Sequence, residues 1–232
     1  MLSFTRYIRD FLALVFPNLC RACAGALVEG EKHICTTCLY DLPFTDFHLY
    51  PDNIVARLFW GRLSCHAAMA MLYFRKGSKV QSLIHQLKYQ HQEELGIILG
   101  KLLGERLLLS TAYNEADLII PVPLHPRKER FRGYNQSRKI ADGIALIMEK
   151  PVSTKFLIRI RQTGTQTRKN RYRRFENMKS VFVVPHPETL TGKHVLLIDD
   201  VITTGATLEA CASVLLEAGV SRVSIAALAF AE

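Results

Sequence analysis

The stretch Val195-Leu196-Leu197-Ile198-Asp199-Asp200-Val201-Ile202-Thr203-Thr204-Gly205-Ala206-Thr207 constrains this chain more than any other. Four apolar residues followed by two carboxylates read as a buried strand that surfaces at its carboxyl end. Thr203-Thr204-Gly205 is then a tight loop, and Leu208, Cys211, Ala212, Leu215 and Leu216 recur beyond it at helical spacing. Strand, loop and helix in that order belong to an α/β sheet, which takes its ligands at the carboxyl ends of its strands. The loop running through Gly205 and Ala206 offers unpaired N–H groups to a phosphate, and the hydroxyls of Thr203, Thr204 and Thr207 add donors. Asp199 and Asp200 would accept hydrogen bonds from vicinal sugar hydroxyls. Phosphate plus diol describes a ribose 5-phosphate. The plainer alternative is an acid pair that only ends a strand and a loop that only caps a helix, but all five parts stand in the order the chemistry needs.

This stretch resembles the phosphoribosyl-diphosphate (PRPP) loop of type I phosphoribosyltransferases, with Asp199, Asp200, Thr203, Thr204, Gly205 and Thr207 matching that pattern. The resemblance implies an α/β fold with a parallel sheet. It also implies PRPP bound with Mg2+, the two acids on the ribose hydroxyls and the loop around the 5-phosphate.

Cys20-x2-Cys23 and Cys35-x2-Cys38 form two pairs separated by eleven residues. Four thiolates at that spacing suit a tetrahedral structural zinc, and a closed set of four leaves no open position for catalysis. His33 and His48 are surplus to it and are expected to be exposed. The eleven-residue gap is shorter than the commonest four-cysteine template, which leaves the ribbon type open. Two units are expected, residues 1–45 as an N-terminal helix and zinc module and residues 60–232 as the phosphoribosyltransferase-like domain.

Ahead of the cysteines, Phe4, Ile8, Phe11, Leu12 and Val15 share one helical face, read as a docking surface. The longest apolar run there, Phe11 to Phe16, is too short for a signal-peptide core or a membrane span. A cytoplasmic protein that does not itself span the membrane is expected. Cys65 and Cys211 read as buried packing residues.

Between the two ends, His66 to Phe74 reads as a strand, and Val80, Leu83, Ile84 and Leu87 mark a helix near whose end Lys88 is assigned to a solvated face. Leu95 to Leu109 continue as a second helix. Asp117 to Ile120 is a short strand running into Pro121-Val122-Pro123, and the basic loop after it holds Arg127, Lys128, Arg130 and Arg132. A basic loop at a strand end is where a diphosphate would lie. After a strand through Phe156, Leu157 and Ile158 comes a second basic excursion with Gln166, Arg168, Lys169, Arg171, Arg173 and Arg174. In type I phosphoribosyltransferases a flexible loop at this place closes over the reacting centre.

Net charge is +9, yet residues 127–139 carry +5 and residues 155–174 carry +8, so the remainder is negative. The positive charge is concentrated in two loops aimed at one cleft, and it exceeds what one diphosphate requires. That surplus suits a polyanion.

A four-cysteine module ahead of such a domain, together with Pro121-Val122-Pro123, Arg132-Gly133-Tyr134-Asn135-Gln136, Gln166, Arg174 and Asn177, resembles the ComF/GntX family of competence proteins over nearly the whole chain. The resemblance implies a role in natural transformation or in the use of DNA as a nutrient, with single-stranded DNA and DNA-uptake proteins at the inner membrane as partners. Residues 167–172 are more basic than that pattern leads one to expect, which favours contact with a polyanion over a cover for a nucleobase alone.

Two functions follow. In the first, PRPP is bound and single-stranded DNA lies on the basic loops through Arg168, Lys169, Arg171 and Arg173, with Tyr134, Tyr172 or Phe175 as stacking platforms. In the second, the chain is an active phosphoribosyltransferase in which Arg127, Arg130, Arg132, Gln166 and Arg174 hold the diphosphate while a nitrogen acceptor attacks. No residue declares itself as a general base, so no catalytic residue is assigned.

Overall fold

The computed structural model describes residues 17–160 and 181–231. The apolar face of residues 4–15 and the basic excursion with Gln166, Arg168, Lys169, Arg171, Tyr172, Arg173, Arg174 and Phe175 lie outside those residues.

Four strands make one parallel sheet, in the order β1 (Ala67–Phe74), β6 (Arg222–Ala231), β5 (His194–Ile202), β2 (Leu118–Pro121). The uninterrupted apolar runs of β5 and β6 follow from burial on both faces. Alternate residues go to opposite sides, so Val195 and Leu197 join one core while Leu196 and Ile198 join the other. Beside the sheet stands a short antiparallel pair, β3 (Ile158–Arg159) with β4 (Phe182–Val183).

The first face is covered by α2 (Ile54–Arg57), Phe59 and α8 (Ala206–Glu217). Val55 and Phe59, from the segment between the two expected units, are fully buried there. The second face is covered by α3 (Lys79–Tyr89), α4 (Glu93–Leu108) and α7 (Gln136–Met148). Helices α4 and α7 touch backbone to backbone. A Cβ added at Gly100 would stand 2.2 Å from the Ile140 carbonyl oxygen, and one at Gly143 would stand 2.2 Å from that of Ile97. Only hydrogen at those two positions permits the crossing, and the crossing sets where α7 begins. Two shorter helices, α5 (Thr111–Asn114) and α6 (Pro126–Arg132), complete this half.

The N-terminal segment, which contains α1 (Thr36–Tyr40), packs on the same second face through Ile34, Leu39, Leu42 and Phe44. His33 bonds Glu94 at 2.9 Å, Lys79 bonds Asp41 at 3.0 Å, and the Arg106 guanidinium lies 3.7 Å from the centre of the Phe44 ring. The expectation that both histidines are exposed is corrected: His33 is partly buried against Glu94, and His48 is buried, where desolvation holds its imidazole below the usual range. Cys211 is buried as expected, whereas Cys65 is only half-buried. Among the described residues no helix is long and apolar enough to cross a membrane.

Candidate functional site

Strand β5 carries the acid pair out of the core at its carboxyl end. The Asp199 Oδ1 accepts from the Ser137 hydroxyl at 2.9 Å and from the Asp200 N–H at 2.9 Å. Burial and the neighbouring Asp200 charge push Asp199 up to about 7, against the opposing effect of those two hydrogen bonds and of Lys88. Asp200 is itself nearly buried, and its Oδ2 lies 3.1 Å from Lys88 Nζ. The assignment of Lys88 to a solvated face is thus corrected. It ends α3 on the side turned toward β5, which helical spacing alone did not reveal.

Beyond the acids the chain turns at Gly205, whose φ of 73° lies in the left-handed region that glycine tolerates best. The turn is also tight, because a Cβ there would meet the Phe59 ring at 3.0 Å. Arg62 and Glu209 pair beneath the loop, holding the residues that follow α2 against the first turn of α8. Neither Phe59 nor the Arg62–Glu209 pair stood out in the sequence. Thr203 and Thr204 remain exposed, and Asp199 together with residues 201–208 lines a cradle of about 50 Å³. Exposed hydroxyls and a helix N-terminus thus stand beside two carboxylates, with the Thr204 hydroxyl oxygen accepting from the Ala206 N–H at 3.5 Å.

The segment read as a basic loop is partly helical. His125 caps α6 by accepting from the Arg127 N–H at 3.2 Å, and Pro126 occupies the first turn, where proline's missing N–H costs nothing. Arg127 and Arg130 are exposed on α6, and Arg132 lies 5.6 Å from the centre of the Tyr89 ring while donating to Gln136 at 2.8 Å. Asn135 then caps α7, accepting from the Ser137 N–H and donating to the Val122 carbonyl, so this cap also aims Ser137 at Asp199. Tyr134 is corrected as a stacking platform: it is buried, and its hydroxyl donates to the Leu87 carbonyl at 2.5 Å.

The cations converge. Desolvation and then Arg159, Arg132 and Lys88 hold the Lys128 ammonium below its usual range. Arg159, half-buried in β3, is lowered by desolvation and drawn the other way by Cys211 and Asp199. Lys88, Lys128, Arg132 and Arg159 thus share one electropositive region that reaches the acid pair. Next to it a cavity of about 250 Å³ is lined by Pro123, Leu124, Glu129, Arg138, Ile158 and Arg159, among others.

At the other end of the chain Cys20, Cys23, Cys35 and Cys38 bring their sulfurs within 4.8 Å of one another. A tetrahedron of Zn–S bonds near 2.3 Å has edges of roughly 3.8 Å, and Cys23 and Cys35 stand 3.9 Å apart. Backbone N–H groups of Gly25, Cys35 and Cys38 point at the sulfurs of Cys23, Cys20 and Cys35, which favours thiolates. Within the coupled cluster Cys20 is lowered to about 6 by such contacts against desolvation, the largest single effect, whereas burial and then the neighbouring thiols push Cys38 up. The four cysteines fit a metal ion.

The family model of the phosphoribosyl transferase domain matches residues 138–232. DNA utilization protein YhgH of Shigella flexneri is 31% identical over 218 residues, covering 92% of this chain and 91% of that protein. Competence protein F of Haemophilus influenzae is 30% identical, covering 63% of this chain and 66% of that one. Among solved structures, the glutamine PRPP amidotransferase of B. subtilis overlaps with a TM-score of 0.42 at 23% identity. That overlap covers 62% of this chain and only 30% of the enzyme. With a type I phosphoribosyltransferase-like parallel sheet, four clustered N-terminal cysteines and a relative matched over nearly its whole length, this chain belongs to the ComF/GntX family.

Proposed function

We propose that this protein binds PRPP with Mg2+ at Asp199, Asp200 and residues 203–207, and holds single-stranded DNA along its basic loops as a cytoplasmic component of DNA uptake or DNA use. The observation that carries the reading is the junction of the acid pair with the cluster of Lys88, Lys128, Arg132 and Arg159. The acids suit a ribose diol, and the cations beside them suit the phosphates attached to it. Carboxylate and hydroxyl oxygens are also the hard donors that Mg2+ prefers. Bound with PRPP, Mg2+ would neutralise part of the diphosphate charge.

The relatives named for competence and DNA utilization support a nucleic-acid role. A net charge of +9 drawn largely from two loops supports it further. Inner-membrane uptake proteins would be the partners that deliver the strand. The four cysteines would hold one structural zinc that stabilises the N-terminal module, with residues 1–45 and 60–232 as the two units.

The experiment is DNA binding as a function of salt. Neutralising phosphates releases counterions, so log K falls with log salt at roughly −0.7 per contact on a single strand, and four or five contacts give a slope near about −3. Converting Arg168, Lys169, Arg171 and Arg173 to Ser is expected to flatten the slope and to weaken all sequences alike, since phosphate contacts carry little base information. PRPP is expected to compete with DNA for the shared cleft. An unchanged slope would reject this DNA track.

A second reading, an active phosphoribosyltransferase with a nitrogenous acceptor, is favoured by one observation. The cavity beside Arg159 offers apolar walls from Pro123, Leu124 and Ile158 and polar groups from Glu129 and Arg138. Such a cavity suits a small heterocycle, and Arg127, Arg130, Arg132, Gln166 and Arg174 would stabilise the departing diphosphate. Release of diphosphate from PRPP and Mg2+ in the presence of a nucleobase panel decides between binding and turnover.

A further inference from the structure

We infer that Lys88 is a working member of the phosphoribosyl site: it holds Asp200 until ligand arrives and then carries its ammonium group to the diphosphate of PRPP. The inference rests on the PRPP reading above and adds to it a residue and an exchange of partners.

Its position is the first reason. The Lys88 and Asp200 side chains are 24% and 13% exposed, and their charged atoms are 3.1 Å apart, so the pair is partly desolvated rather than a surface contact. On its other side Lys88 is close enough to Lys128 to be among the cations that depress it. The ammonium therefore stands between the ribose acids and the basic cluster. In PRPP the diphosphate is attached to the carbon next to the diol, so this is where its oxygens would come.

Charge supplies the second reason. Two carboxylates that hold the diol also repel the anionic group one carbon away, and a cation between them offsets that repulsion. A diol held by both Asp200 oxygens takes the Oδ2 that Lys88 occupies, so binding frees the ammonium at the moment a new anion appears beside it. The anchor allows such a movement. Val80, Leu83, Ile84 and Leu87 bury α3 in the core, and Tyr134 holds the Leu87 carbonyl, while the lysine's four-carbon stem can reorient without moving the helix.

The contrast between PRPP and ribose 5-phosphate tests this, because the second ligand has the diol and the 5-phosphate but no diphosphate. Binding of each, PRPP with Mg2+, is measured by calorimetry to the wild type, Lys88→Met and Lys88→Arg. Lys88→Met is expected to weaken PRPP by roughly tenfold or more, the loss of one charge-assisted contact. It should leave ribose 5-phosphate as tight as before or tighter, since no ion pair must first be broken, and Lys88→Arg should keep most PRPP affinity. Retained ribose 5-phosphate binding also shows that the variant is folded. Equal weakening of both ligands would mean that Lys88 only positions Asp200, and no weakening of either would mean that it has no part in binding; each overturns the inference. Failure of the wild type to bind either ligand overturns the PRPP reading itself, and this assignment with it.

Discussion

The Ser137 hydroxyl donates to Asp199 at 2.9 Å, joining the first turn of α7 to the carboxyl end of β5 across 62 residues of sequence. The bond favours the ionised form of an aspartate that burial and Asp200 push up to about 7. Ser137→Ala is therefore expected to raise Asp199 further, and Asp200→Asn to lower it by removing the neighbouring charge. If PRPP requires the ionised pair, its affinity increases as pH rises through about 7, and Ser137→Ala moves that rise to higher pH. Carboxyl-carbon NMR titration and calorimetry at a series of pH values check the two halves independently.

Opposite slopes of stability against pH are expected from Asp199 and His194. Folded Asp199 keeps a proton that the unfolded chain has released above its ordinary value of 3.8, so its contribution falls as pH rises toward about 7. His194, buried beside Ser224 and lowered mainly by desolvation to about 4 from 6.5, gains a proton only on unfolding in that range. Its contribution is lost as pH falls from 6.5 toward about 4. The two partly cancel in the wild type, and Asp199→Asn should expose a steeper loss of stability on acidification. Urea melts between pH 4 and 7 would show no difference in slope if Asp199 titrates as an ordinary carboxylate.

Gly205→Ala combines a strained φ of 73° with a Cβ 3.0 Å from the Phe59 ring. A cost of about 1–3 kcal/mol is expected, with a larger proportional loss of PRPP affinity, because the cradle deforms even where the fold survives. A denaturant melt paired with PRPP titration separates the two effects. Gly30→Ala is the control: its φ of 94° brings similar backbone strain, but its Cβ would meet nothing within 4 Å.

One equivalent of zinc is expected from the sulfurs clustered within 4.8 Å. Because metal binding and folding are coupled at such sites, Cys38→Ser or a strong chelator should release the metal and open residues 18–40 to protease. The sheet, whose faces are covered chiefly by its own helices, should keep a cooperative melt, at a somewhat lower midpoint because Ile34, Leu39, Leu42 and Phe44 pack on its second face. Elemental analysis of freshly purified protein that finds no stoichiometric metal would refute the assignment.

Much of this molecule was legible because the relevant groups are neighbours in sequence. The acid pair, the hydroxyl loop and the two cysteine pairs are each local, and local order carries their chemistry. Strand edges were legible to within a residue or two: the expected strand Asp117 to Ile120 is Leu118–Pro121, and His66 to Phe74 is Ala67–Phe74. What stayed hidden depends on how distant segments meet. Lys88 lies more than a hundred residues before Asp200, and a polar residue at a helix end is ordinarily solvated. Tyr134 sits inside a charged run, but its ring is buried because α3 offers its hydroxyl a carbonyl. Burial of His48 is hidden from the sequence for a related reason, since only the packed 3-10 turn of Phe47–Leu49 removes it from water.

The bare crossing of α4 over α7 has a mechanical consequence. Where Gly100 and Gly143 let two main chains touch, no side chain lies between them to yield, so the helices cannot slide without backbone collision. Gly100→Ala should therefore cost about 3 kcal/mol or more, whereas Gly104→Ala, whose Cβ would be 3.0 Å from the Ile147 Cβ, should cost less. The same helix α7 starts at the Asn135 cap and at Ser137, which bonds Asp199, so the crossing and the acid pair are joined through one helix. One jaw of the cleft is thereby fixed in register with the strand that bears the acids. On the PRPP reading proposed above, accommodation of ligands differing in length would come from parts that can pivot on their own, among them the stem of Lys88, and the spacing between the acid pair and the hydroxyl loop would act as a rigid ruler for a five-carbon sugar phosphate.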